Sequence, residues 1–384
     1  MVESTTGDRT SLWRLPAMRA LVGATTLGFA SYCLTLASLP AYAVGGGASP
    51  ETAGVVTAVF LVVTILVQSV VPALTARFGL GVVLAAGLLL LGAPSPLYVL
   101  GDGVLWLSGV SAVRGAGFAV LTVLGAVLAA QVAPPERRGE SIGLYGLAIA
   151  VPNLLAVPAG VALVLDGHPG WLAWLAASPV LALPLVPGLA RSVHWEGGAG
   201  SSSRAAARAA LAPSAVLLVV TLAGGGLVTF LPIERPDGVL ATTALLVFGV
   251  TGALTRWRAG LLADRVGTGR LMPLALLLGA LGLAGVGVGL GTGDAVVLAG
   301  AAVFGAGFGA VQNLTLVTAF ARAGEGGATA ASALWNASFD AGTAVGALAL
   351  GLVAAGVGLS WTYVLVAGTL LAALPLARVA TRPA

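Results

Sequence analysis

The chain has 384 residues, of which 58% are hydrophobic and 8% charged, and its mean hydropathy is +1.03. Soluble domains carry about 25% charged residues, so the composition excludes a soluble enzyme, a disordered chain and a disulfide-stapled secreted scaffold. The net charge of +4 and pI near 9.8 come from 18 arginines with no lysine, and they ask which side of a bilayer these residues occupy rather than which nucleic acid they bind.

A helix needs about 20 apolar residues to cross roughly 30 Å of hydrocarbon, and turn signals cut the chain into pieces of that length. In chain order the predicted spans cover residues 17–44, 51–75, 80–100, 104–132, 140–165, 171–190, 213–233, 239–259, 270–291, 295–321, 329–357 and 360–380. The first apolar run, preceded by Arg9, Arg14 and Arg19, is too long for a signal-peptide core, so it is expected to stay as a span. Cys33, the single cysteine, lies within it and reads as a small buried hydrophobe. His168 falls in the turn after the fifth span and His194 after the sixth, both as solvated loop residues.

Twelve spans put both chain ends on one side. Arg9, Arg14, Arg19, Arg77, Arg137, Arg138, Arg191, Arg204, Arg208, Arg256, Arg258, Arg265, Arg270, Arg322, Arg378 and Arg382 sort to that side, and Arg235 alone to the other. The opposite loops carry Glu51, Asp102, Asp166, Glu234, Asp237 and Asp294. Arginine marks the cytoplasmic loops of membrane proteins, so the expectation is a multi-pass plasma-membrane protein with both termini cytoplasmic.

The two halves repeat. Ala112-Val113-Arg114-Gly115-Ala116-Gly117-Phe118 in the fourth span matches Ala302-Val303-Phe304-Gly305-Ala306-Gly307-Phe308 in the tenth, an offset of 190 residues. Leu39-Pro40 and Leu231-Pro232 close the first and seventh spans, and 72–79 corresponds to 260–267. Equivalent segments run in the same direction, which makes a parallel repeat of six plus six helices. The expected fold is therefore an all-α membrane protein with 12 transmembrane helices: a six-helix bundle over 1–190, a flexible cytoplasmic linker over 191–212 containing Gly197-Gly198-Ala199-Gly200-Ser201-Ser202-Ser203, and a second bundle over 213–384.

With these residues in view, Gly260-Leu261-Leu262-Ala263-Asp264-Arg265-Val266-Gly267-Thr268-Gly269-Arg270 resembles the Gly-x-x-x-Asp-Arg-x-Gly-x-x-Arg loop of the major facilitator superfamily, and Arg114 with Gly115 and Gly117 is similar to that family's fourth-helix arginine motif. The first-half copy of the loop departs from the pattern, with Ala76 where the aspartate belongs and Arg77 kept. The fifth span has Gly143, Gly146, Pro152, Pro158 and Gly160, a poor match to the family's antiporter motif. The resemblance implies transport by alternating access. It also implies a cavity lined by spans one, four, seven and ten, which favours Tyr32, Arg114, Gln312 and Asn313, with Trp335 and Asn336 as further polar candidates at depth.

Physical reasoning assigns the other roles. Gly260, Asp264, Arg265, Gly267, Arg270, Arg77 and Glu140 form an expected cytoplasmic gate: Asp264 suits a helix N-terminus, for which Gly139-Glu140-Ser141 is the candidate, and Arg265 suits Glu136 or Glu140. Pro152 and Pro158 around Asn153 free backbone carbonyls and make an expected hinge. Arg114 and Asp340 sit near mid-depth, where an ionisable group costs about 2.5–3.5 kcal/mol on insertion scales. Asp340 is read as the proton-coupling residue, against a permanently bonded packing acid. Arg114 is read as a proton relay or anion contact, against a lock on neighbouring carbonyls.

The leading expectation is proton-coupled efflux, by antiport, of a small and largely apolar drug or secondary metabolite. Uptake of a small anion or nutrient, and a non-transporting membrane sensor or scaffold, are the alternatives. The expected partners are a small-molecule substrate, protons and the lipid bilayer, with no nucleic acid, no cofactor, no metal and a monomeric chain. No His-Glu-x-x-His motif, Ser/His constellation or phosphate-binding Gly-Lys loop is present, so the chain is not expected to be an enzyme.

Overall fold

The computed structural model describes residues 11–36, 38–48, 50–193, 201–234, 239–324 and 326–381. Arg9, His194, Arg235, Asp237 and Arg382, together with the rest of 194–200 in the expected linker, lie outside the described residues. Among the described residues eleven helices are long and apolar enough to cross a membrane, or twelve with one bent pair counted as a single span. We number the spans α1 (Pro16–Gly45), α2 (Ala53–Gln68 and Val71–Phe78, bent by 54°), α3 (Leu80–Leu100), α4 (Val104–Gln131), α5 (Arg138–Leu165) and α6 (Pro169–Arg191). The second half supplies α7 (Ser201–Glu234), α8 (Val239–Val266), α9 (Thr268–Thr292), α10 (Asp294–Ala323), α11 (Ala328–Val357) and α12 (Leu359–Ala380).

Two boundaries differ from expectation. Helix α7 begins at Ser201, because Ser201 to Ala212 is rich in alanine and arginine and continues the helix instead of serving as linker. Helix α8 runs on to Val266, past the expected end at 259, so Asp264 and Arg265 belong to a helix and not to a loop. Both prolines expected to hinge α5 are absorbed into one continuous 28-residue helix. Pro152 is buried, while Asn153 and Pro158 are exposed.

The sequence repeat is a packing repeat. A side chain at Gly115 would strike the backbone of Phe60 on α2, and one at Gly117 would strike Gly87 and Leu91 on α3. Gly305 stands in the same way against Phe248 on α8, and Gly307 against Ala275 and Gly279 on α9. These glycine pairs let α4 and α10 approach two neighbours at backbone contact, where van der Waals packing holds helices together in lipid. Aromatic rings repeat with them: Phe60 and Phe118 lie 5.5 Å apart, and Phe248 and Phe308 lie 5.1 Å apart. The turns from α2 to α3 and from α8 to α9 each require a left-handed glycine, Gly79 at φ +81° and Gly267 at φ +87°.

One apolar core is built from α7 to α12 alone. The core of α1 to α6 continues into side chains of α10 and α11, including Leu316, Phe320 and Trp335. Packing between the halves is concentrated where α5 meets α8 and α10, and where α11 meets α2 and α4. The participating stretches lie toward the ends that adjoin the 132–137, 264–268 and 323–328 connections. The structure is thus closed on the arginine-rich face.

Candidate functional site

The closed face is held by a carboxylate on a helix end. The first turn of α5 has backbone N–H groups without intrahelical partners, and two of them, Gly139 and Glu140, donate to Asp264 Oδ1 and Oδ2 at 3.0 Å each. Charge, dipole and hydrogen bonding act together at such a site. The helices can come this close because Gly139 and Gly260 face each other: a side chain on either would strike the other's backbone. Asn313 donates to the Gly139 carbonyl at 3.4 Å.

The other residues expected at this gate are placed differently. Arg265 and Arg270 are exposed and make no hydrogen bond or ion pair among the described residues. The Glu140 carboxylate expected for Arg265 is taken by Arg137 at 2.8 Å, three residues earlier, where no long side chain has to cross between helices. Arg77 is exposed and lies over the ring of its neighbour Phe78.

Deeper, the seam between α11 and the first half is polar. Ser332 donates to the Val123 carbonyl at 2.8 Å, and Asn336 donates to Ser332 at 2.9 Å and to Thr122 at 3.4 Å. Trp335 donates to Thr315 Oγ1 at 3.0 Å, so its indole is fixed within the second half. Two turns further along the same face, Asp340 Oδ2 accepts from Gln68 Nε2 at 2.9 Å, an α11 to α2 bond that joins the halves. Gln68 is fully buried, and its Oε1 has no partner. Asp340 is only partly buried and within electrostatic reach of Tyr32. Tyr32 stacks on Phe118 at 4.3 Å and lines a recess with Thr57, Phe60 and Ser111.

Arg114 does not meet Asp340. It is wholly buried inside the first half: Nε donates to the Leu91 carbonyl, Nη1 to Thr35 and Tyr98, and Nη2 to the Ser31 carbonyl and hydroxyl, at 2.8–3.2 Å. A guanidinium has five N–H groups, and the five contacts use them all. Arg114 therefore offers nothing to a cavity in this conformation, which corrects the expectation that it lines one. The lock on neighbouring oxygens is the geometry observed.

Sequence reasoning gives Arg256 no site role, and reads Gln68 as one of several polar positions at depth that are structural rather than ligand-contacting. Arg256 is 7% exposed, donates from Nη1 to Gln312 Oε1 at 2.9 Å, and leaves its buried Nε unpartnered. Its stem occupies the space left by the absent side chain of Gly146 on α5. Arg256 falls inside the expected eighth span, and a cation within a span is its signal; the signal for Gln68 is its polarity within an otherwise apolar stretch.

A family model described as Major Facilitator Superfamily matches residues 20–332. No curated protein is a detectable sequence match. Among solved structures, the human organic anion transporter MFSD10 (TETRAN) aligns with a TM-score of 0.78 at 16% identity, covering 96% of this chain and all of that one. The transporter FucP in its outward conformation aligns with a TM-score of 0.76 at 15% identity, over 97% and 100% of the two chains. A variant of the Escherichia coli fucose:proton symporter FucP aligns at 0.74 and 14% identity, over 95% and 98%. At these identities the alignments speak for the fold.

Proposed function

This chain belongs to the Major Facilitator Superfamily, and on that premise we propose that it is a proton-coupled secondary transporter exporting a small, largely apolar organic compound by alternating access. The observation that carries the coupling is the place of Asp340, an acid deep in the seam between the halves that is bonded to Gln68 across it. Moving a bare carboxylate past an apolar barrier carries the insertion cost of about 2.5–3.5 kcal/mol. A proton taken by Asp340 removes the charge, and a neutral acid crosses between the two arrangements more readily.

The arginine-rich face is read as cytoplasmic from the positive-inside rule, which makes the closed face the cytoplasmic one and the conformation outward-facing. In this state the partly exposed Asp340 takes a proton from outside. When the α5–α8 and α11 seams part, cargo enters from the cytoplasm and the proton leaves to it. Export is favoured over uptake by solubility. A compound with a large apolar body crosses bilayers unaided in its uncharged form, so work is required only for its removal.

The test is a compound panel on proteoliposomes under an imposed pH gradient. Wild type is expected to move cargo against its gradient with counterflow of protons, and Asp340→Asn to retain exchange while losing accumulation. Equal proton flux in both proteins would remove Asp340 as the coupling residue, and proton flow in the same direction as cargo would reverse the assignment to export.

A further inference from the structure

The membrane-embedded part of the chain buries two arginines, and they are treated in opposite ways. Arg114 has every N–H satisfied by oxygens of its own half, which is what a permanent structural cation needs. Arg256 has one hydrogen bond, a buried Nε with no partner and no carboxylate beside it among the described residues. Burying a charge so poorly compensated costs several kcal/mol, and a guanidinium held for structure alone would have been coordinated like the first.

The burial of Arg256 depends on conformation. Its one partner, Gln312, belongs to the same half, and the surface that covers it, at Gly146 and Tyr145 on α5, belongs to the other. Beside it on α10 is Asn313, fully buried, with Oδ1 unpartnered and its amide spent on the Gly139 carbonyl of the opposite half. When α5 leaves α8, the guanidinium, the Gln312 amide and the freed Asn313 amide face the opening together. All three then present N–H groups around one positive charge.

We propose that Arg256, with Gln312 and Asn313, binds the negative group of the cargo in the state open on the arginine-rich face, and that the cargo is an organic monoanion: an apolar body carrying a single carboxylate-like group. One guanidinium matches one such group bidentately, and a polyanion would leave charge unpaired in the membrane. The assignment rests on the alternating-access reading above and names its cargo class. It also gives the closed state its cost. Arg256 is poorly satisfied whenever the binding face is shut, so an anion bound there favours the open arrangement.

Phenylglyoxal modification of the full-length protein in nanodiscs, mapped to individual arginines by mass spectrometry, tests both parts. Two variants open the face by independent routes: Asp264→Asn removes the carboxylate from the α5 helix end, and Gly260→Ala wedges its methyl against Gly139. Modification of Arg256 is expected to rise roughly tenfold over wild type in both, the change for about 1.4 kcal/mol of population shift, with Arg114 unreactive throughout. Phenylacetate, phenylbutyrate and naphthoate are then expected to protect Arg256 at concentrations where the corresponding amides do not. Absence of any rise in both variants, each eluting as a folded monodisperse species, overturns alternating exposure and the site with it. A rise without carboxylate protection, or with equal protection by the amides, overturns the anion assignment alone.

Discussion

Arg114 and Asp340 were the two charges that depth alone singled out, and their surroundings separate them. Arg114 ties α1, α3 and α4 together through Ser31, Thr35, Leu91 and Tyr98, and its charge is spread over oxygens of its own half. Lysine keeps the charge with three donors in place of five. Arg114→Lys is therefore expected to lose about 1–3 kcal/mol of stability through the oxygens it abandons, visible as a lower melting temperature in detergent. An unchanged melting temperature would mean that the lock contributes nothing. Asp340, by contrast, has one bond to an amide across the seam and part of its surface free. Gln68 is suited to that position because an amide can donate to a carboxylate or, turned over, accept from a carboxylic acid. The bond can thus outlast protonation.

At the scale of helices, small residues decide which pairs touch. Gly115 and Gly117 serve α4 as Gly305 and Gly307 serve α10, each against backbone atoms of two neighbours. Neither site has a flexible side chain that could yield. Gly307→Val should prise α10 from α9 and destabilise the second half by more than the 1–3 kcal/mol typical of overpacking, as backbone rather than side chain would have to move. The equivalent Gly117→Val should do the same to α4 and α3. Limited proteolysis reads the outcome: early cleavage confined to the half that carries the substitution is expected, and wild-type resistance in either variant would show that the close approach is dispensable. The same logic explains α5. Its glycines at 139, 143 and 146 face α8, whereas its prolines lie further along and leave the helix unbroken.

Across the whole molecule, two six-helix sets related by sequence repeat are closed against each other on one face. The Asp264 carboxylate on the α5 helix end is an element that one arrangement makes and the other breaks, which is what a two-state device requires. Asp264→Asn keeps the shape and removes the charge. A thiol placed at Ala333, buried in the seam, then reports opening to a membrane-impermeant maleimide, since native Cys33 is itself fully buried. Labelling from the arginine-rich face is expected to rise about tenfold with the substitution, and equal rates in the two proteins would remove the latch.

The features legible in the sequence are those set by local chemistry. Span number follows from apolar length against bilayer thickness, the sorting of arginines from the cost of charge in lipid, the parallel repeat from matching glycine and aromatic spacing, and the helix-end partner of Asp264 from the meeting of a carboxylate with unpaired N–H groups. The linker was read too long because its arginines and alanines, polar enough for a loop, also favour helix. Arg256, inside the expected eighth span, sorts to the cytoplasmic side because charge near a span end reads as solvated. Its burial is made by Gly146 on another helix, 110 positions away, and Gln68 meets Asp340 across 272 positions. Such contacts leave no local trace: hydropathy and periodicity report what each segment must bury, and only the packed bundle decides which polar groups it buries together.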